Sequence, residues 1–313
     1  MHRSTGSDRQ LRRESRPGLL GRAVTFSQHV TQIIPQQFVG LMRRLKSKKE
    51  RSVPLYLTAA DQEGLREAGR FNASVLDLLR PLVQPGVSTF ELNRVATEYI
   101  YSHGNVPACI GYMGYQHALC TSLNNVVCHG IPSKTDVLKE GDIVNIDCTS
   151  AVDGYHGDSS ETFLVGEVDA AAKELVQLTH DALWIGINAA RPGESVIEIG
   201  IAIGKFAREH KLGVVESYQG HGVGRAIHQG PDVPHFRHPP SRRQKLMPGT
   251  CFTIEPMLNL GGKETDPPLA DGWTVLTRDR SLSAQFEHTL LMTDDGPQPL
   301  TLTKSGPQEG HQF

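Results

Sequence analysis

Four acids stand in apolar, strand-like runs where an isolated carboxylate is costly. Asp147 ends the run 141–147 (GDIVNID), and Asp158 lies in the returning run 156–165. Glu255 ends 249–255 (GTCFTIE), and Glu287 sits inside 284–292. Side chains alternate across a strand, so Asn145, Asp147 and Thr149 share one face, opposite Val144, Ile146 and Cys148. A hairpin over 143–165 then brings Asp158 to the face of Asp147. Glu255 stands opposite Phe252 and Ile254, and Glu287 opposite Phe286 and His288. Taken singly, each acid reads as solvent-facing or as one half of a buried pair. Gathered together they would raise one another's pKa and take up protons. Divalent cations remove that conflict, and two of them balance four carboxylates. His221, between glycines in 220–224 (GHGVG), has room to approach a metal as a neutral imidazole. His129 and His228 stand nearby in sequence motifs without metal spacing of their own.

These groups need a scaffold, and periodicity outlines one. Thr58 with Asp61 predicts a helix start, followed by Leu65, Ala68, Phe71, Val75 and Leu78 at helical spacing. A second helix opens at Ser88 with Glu91 and ends near His103-Gly104. A third spans about 169–188, and a fourth opens at Ser195 with Glu198. Strands are expected at 126–128, 143–149, 156–165, 251–255, 273–277 and 284–292, with Val152-Asp153-Gly154 turning the second into the third.

A repeat links the two halves. Pro85-Gly86, Ser88, Glu91 and His103 recur 107 residues later as Pro192-Gly193, Ser195, Glu198 and His210. The run 141–147 recurs 108 residues later as 249–255, and both copies close on an acid. Two similar α/β halves packed about one cleft are the expected architecture.

The 313 residues are 38% hydrophobic and 21% charged, which suits a folded core rather than disorder. Charge is uneven. Residues 1–51 hold twelve Lys or Arg against three acids, whereas the remainder holds 20 against 31. The acidic body gives no reason to expect DNA binding. The five cysteines include no Cys-x-x-Cys pair, and no run approaches the ~20 apolar residues of a membrane span. Reduced thiols in a cytoplasmic setting follow. Residues 1–52 read as a basic, solvated extension, with a short amphipathic helix over 26–45 or an organelle-import leader as alternatives. The folded unit is expected over 53–303, with a polar tail at 304–313.

From about Thr58 to Thr301 the chain resembles a type I methionine aminopeptidase. The resemblance rests on 125–132 (NVVCHGIP), 145–147 with 155–158 (NID, YHGD), 220–224 with His228, 252–257 (FTIEPM) and 272–289 (GWTVLTRDRSLSAQFEHT). It implies an α+β pita-bread fold: a pseudo-two-fold pair of halves, a curved, mainly antiparallel sheet, and a central metal cleft. It implies Asp147, Asp158, His221, Glu255 and Glu287 as ligands of two divalent ions (cobalt, manganese, iron or zinc), with Asp158 and Glu287 bridging, and a nearby monovalent cation. Glu255, His129 and His228 would be catalytic. His129 and His228 would also touch the substrate, and Cys109, Tyr112, Tyr115, Cys120 and Trp273 would line a methionine pocket. The implied reaction is release of the initiator methionine from nascent chains with a small second residue, by a monomer; outside the resemblance, the basic leader adds an expected ribosome contact. Three departures, Ile227, Gln116 and His117, touch the pocket rim. A proline-specific aminopeptidase or a non-catalytic binding protein on the same fold are the alternatives.

Overall fold

Thr58 decides where the first helix begins. Its hydroxyl accepts the Asp61 N–H, and the Asp61 carboxylate accepts the Thr58 N–H, a reciprocal cap on α1 (Ala59–Leu79). The computed structural model describes residues 57–313. The extension 1–52, its 26–45 helix and the boundary at 53 lie outside the described residues. Helix α2 (Thr89–Ser102) starts as expected, with Ser88 accepting from the Glu91 N–H, and α3 (Ala170–Ala189) starts with Asp169 accepting from Ala172. Helix α4 (Ile197–Glu209) departs from the expectation. Ser195 does not cap it: its hydroxyl donates to the Ser241 carbonyl, Val196 is already right-handed, and the helix begins at Ile197.

Fourteen strands run through the described residues: β1 (Val106–Pro107), β2 (Leu119–Leu123), β3 (Val126–Cys128), β4 (Ile143–Val152), β5 (Tyr155–Leu164), β6 (Gly213–Val214), β7 (Gly220–Gly222), β8 (Gln229–Val233), β9 (Cys251–Ile254), β10 (Met257–Asn259), β11 (Val275–Leu276), β12 (Ser283–Gln285), β13 (Glu287–Thr293) and β14 (Gly296–Pro299). Nine of them form one curved antiparallel sheet in the order β1-β4-β5-β13-β9-β7-β8, with β2 joined to β4 and β14 to β13. The β4–β5 hairpin turns on Asp153 and Gly154, both at positive φ, which matches the twist of the strands they join. The single strand expected at 284–292 is two. Residues 283–285 pair with β10, and from Glu287 the chain crosses to β5 and β9.

The apolar face of each half meets its own helices. Val144, Ile146, Cys148 and Phe163 pack with Val75, Leu79, Leu92 and Ile100 of α1 and α2. Phe252, Ile254, Phe286 and Leu290 pack with Leu175, Leu183, Ile199 and Ile203 of α3 and α4. Helices on one face of the sheet leave the opposite face, with its acids, turned toward the cleft.

The repeat survives as matched geometry. Gly86 N–H bonds the Leu138 carbonyl at 2.8 Å, and Gly193 N–H bonds Leu246 at 2.7 Å. Leu138 N–H returns to Val87, and Leu246 N–H to Glu194, both at 2.9 Å. The rings of Tyr99 and His103 meet tilted at 4.2 Å, and those of Phe206 and His210 tilted at 4.5 Å. The four glycines at 86, 193, 141 and 249 all take positive φ, so a side chain at any of them would strain the turn.

Candidate metal centre and substrate cavity

Strand register assembles the acids. Asp147 on β4 pairs with Ser160 on β5, and Ser160 pairs in turn with Glu287 on β13, so the two acids lie in one row across three strands. Asp158 is two residues from Ser160 and therefore shares that face. Glu255 follows directly on Ile254, the partner of His288. His221 comes from β7, whose Gly222 pairs with Phe252 of β9. The glycine at 222 is required there, since a Cβ would lie 2.0 Å from the Gly230 carbonyl oxygen. Ligand atoms of Asp158, His221 and Glu287 lie within 4.8 Å of one another.

Neighbouring hydroxyls and amides aim these groups. Thr149 donates to Asp158 at 2.8 Å, and the Asp158 N–H donates to Thr289. Thr253 donates to one Glu255 oxygen at 2.7 Å and Gln285 to the other at 3.2 Å, while the Glu255 N–H donates to His235. These supports were the part of the site that motif matching missed. Their signal is period-two placement beside each acid: Thr149 two after Asp147, Thr253 two before Glu255, Gln285 and Thr289 two either side of Glu287.

Two observations test whether these residues suit divalent cations. The first is His221. Its Nδ1 lies 3.0 Å from the Gly222 carbonyl, which only accepts, so Nδ1 carries the proton. Nε2 then presents a lone pair at 3.5 Å from Glu255 and 3.8 Å from Asp158. Burial holds His221 below its usual pKa and disfavours a second proton. A lone pair facing carboxylates calls for a cation between them. The second is the acids. Burial, then the charge of Asp158, pushes Asp147 and Glu287 well above the carboxylate range. Burial raises Glu255 as well, against the Thr253 hydrogen bond. Asp158 is raised to about 6 by burial, partly offset by Thr149. The residues fit.

All twelve residues singled out from the sequence open onto one cavity of about 540 Å³. Beside the five acidic and histidine groups, Cys109, Tyr112, Tyr115, Cys120 and Trp273 line it, with His129 and His228. Tyr115 meets Trp273 edge-on at 4.9 Å and donates its hydroxyl to the Leu119 carbonyl. Burial raises the Cys109 thiol to about 12 and pushes Cys120 up too, so both are neutral, soft, apolar walls of the kind a thioether packs against. His228 Nδ1 lies 2.8 Å from the Tyr112 hydroxyl. His129 and His228 are each lowered to about 4, first by burial and then by a neighbouring histidine, and are uncharged at neutral pH. Tyr218 and Met257 also line the wall; nothing in their sequence context distinguished them from core. Ile227 lines the cavity, whereas Gln116 and His117 stand back from it.

A curved antiparallel sheet carrying a buried acid-and-imidazole cluster beside an apolar cavity defines a metal-dependent hydrolase. Residues 63–294 match metallopeptidase family M24. The methionine aminopeptidase of Escherichia coli strain K12 is 48% identical over 250 residues, covering 79% of this chain and 93% of its own. Methionine aminopeptidase A of Synechocystis is 46% identical over 79% of this chain and 96% of its own. The crystal structure of the Rickettsia prowazekii methionine aminopeptidase superposes with a TM-score of 0.76 at 44% identity, covering 79% of this chain and 99% of that one. The chain belongs to metallopeptidase family M24, among the methionine aminopeptidases.

Proposed function

We propose that this chain hydrolyses the first peptide bond of polypeptides that begin with methionine and have a small second residue. The observation that carries this is the single cavity joining the acid cluster to the Cys109, Cys120 and Trp273 walls. Asp147, Asp158, His221, Glu255 and Glu287 would hold two divalent ions. When bound, the ions supply Lewis acidity and lower the pKa of a coordinated water.

The protein's own groups do the rest. Glu255, held by Thr253 and Gln285, takes a proton from the attacking water and delivers it to the leaving amine. With the Tyr112 hydroxyl donating to Nδ1 of His228, Nε2 keeps its proton and donates to the developing oxyanion. His129 hydrogen-bonds near the scissile nitrogen. The methionine side chain packs between the two thiols, Tyr115 and Trp273. Support against a proline-specific reading comes from this thiol-and-aromatic wall, and support against a non-catalytic binder from the complete ligand set.

Selectivity for a small second residue follows from a cavity already walled by Tyr218, Ile227 and Met257. With Met-Gly and Met-Leu peptides competing in one assay, Met-Gly is cleaved at least about tenfold faster, a difference of ~1.4 kcal/mol in barrier. Equal rates would contradict the assignment.

Among the described residues no helix is long and apolar enough to cross a membrane. We place the enzyme in the cytoplasm as a monomer, with residues 1–52 as a basic ribosome-contacting extension; import into mitochondria through the same residues is the second reading. Deleting residues 1–52 leaves kcat/KM on a Met-Gly peptide within about twofold and abolishes sedimentation with ribosomes. A loss of peptide turnover, or ribosome binding that survives the deletion, contradicts that role for the extension.

A further inference from the structure

The cavity lining contains one charge that the metal centre does not use. Asp232 lies on β8, at an edge of the nine-stranded sheet, and is the cross-strand partner of His221 on β7. Directly opposed residues of an antiparallel pair point to the same face, so Asp232 turns toward the cleft with His221. It lines the cavity and is exposed to solvent. Among the described residues it forms no ion pair with a Lys or Arg, and no Lys or Arg lines the cavity.

The order of strands gives this charge a direction. Cys120 of the apolar pocket is on β2, which joins the sheet at β4. From there the sheet carries Asp147 on β4, Asp158 on β5, Glu287 on β13, Glu255 just after β9, His221 on β7 and finally Asp232 on β8. A peptide with its first side chain among Cys109, Cys120 and Trp273, and its first amide over the acids, continues toward β7 and β8. The acids it passes would be balanced by the divalent ions they hold under the aminopeptidase reading. Asp232 is not, and it is the first uncompensated charge the outgoing chain meets.

We propose that Asp232 determines specificity beyond the second residue, favouring a lysine or arginine at the third or fourth position of the substrate and disfavouring an acid there. The proposal rests on the aminopeptidase reading above. A partly exposed pair in water is worth on the order of 1 kcal/mol at most, and salt screens it, so the expected preference is roughly fivefold and ionic-strength dependent.

The test compares kcat/KM for Met-Gly-Lys-Ala, Met-Gly-Gln-Ala and Met-Gly-Glu-Ala, and for the same three residues at the fourth position. It uses the metal-replete wild type, Asp232→Asn and Asp232→Lys, at low and high salt. The wild type prefers lysine over glutamate by roughly fivefold at low salt and less at high salt. Asp232→Asn brings the ratio close to one, and Asp232→Lys inverts it. A wild-type ratio that persists in Asp232→Asn assigns the preference to the field of the acidic body and overturns the proposal. An equal loss on all three peptides means Asp232 acts through His221 rather than on the substrate, and overturns it as well. Failure of the wild type to cleave any Met-Gly peptide defeats the aminopeptidase reading itself, a result distinct from a missing charge preference.

Discussion

Glu255→Gln lowers kcat/KM on a Met-Gly peptide by about a thousandfold or more, at saturating metal, without unfolding the protein. A positioned general base contributes roughly 10² to 10⁴ in rate, and Glu255 is also placed to hold metal, so both contributions fall together. Glutamine keeps the shape of the side chain between Thr253 and Gln285. It also removes a buried charge from a cluster in which every acid is pushed upward. The metal-free variant should therefore unfold at a temperature equal to or above that of metal-free wild type at pH 8. Activity within tenfold of wild type would remove Glu255 from the chemistry. A variant that loses its fold instead would show that Glu255 is structural.

Removing metal has the second largest effect, and its pH dependence carries a sign. In the metal-free protein Asp158 has a pKa of about 6, against an ordinary value of 3.8. A raised acid contributes stability that is present below its unfolded pKa and lost as pH climbs through its folded pKa. Asp158 therefore loses its contribution as pH climbs from about 4 through 6. Asp147, Glu255 and Glu287 shift in the same direction. His129 and His228, lowered to about 4, work oppositely: their contribution is present above pH 6.5 and lost as pH falls toward 4. The difference between metal-replete and metal-free samples isolates the acids that a cation neutralises. Chelation therefore abolishes turnover, and the gap in Tm between the two samples widens as pH rises from 5 to 8. Weaker metal binding below about pH 6, measured by calorimetry, is the companion result, because protons then compete for Asp158. A Tm gap that narrows with pH, or turnover that survives exhaustive chelation with no metal detected in the protein, would contradict the electrostatic account of this centre.

Sequence alone determined the local rules of this protein. Period-two alternation put Asp147 and Asp158 on the cleft face of a hairpin whose turn is Asp153-Gly154, and the structure has that hairpin in that register. Capping chemistry located the starts of α1 and α2, and the 107-residue repeat announced the paired halves. Caps failed at Ser195 because a hydroxyl can satisfy a carbonyl from another segment, here Ser241, and nothing near 195 in sequence reveals that partner. The break at Phe286, which turns one expected strand into two, is likewise set by where β10 and β5 lie. Tertiary structure decided which apolar residues are wall and which are core. Tyr218 and Met257 face the cavity and Phe252 faces the helices, yet all three sit in apolar, strand-like or loop contexts that look alike in one dimension. Alternation along one strand is a short-range property of backbone geometry. The meeting of the two half-sheets around one cavity depends on β5 pairing with β13, where Ser160 and Glu287 stand more than a hundred positions apart, and that contact is fixed only when the whole sheet closes.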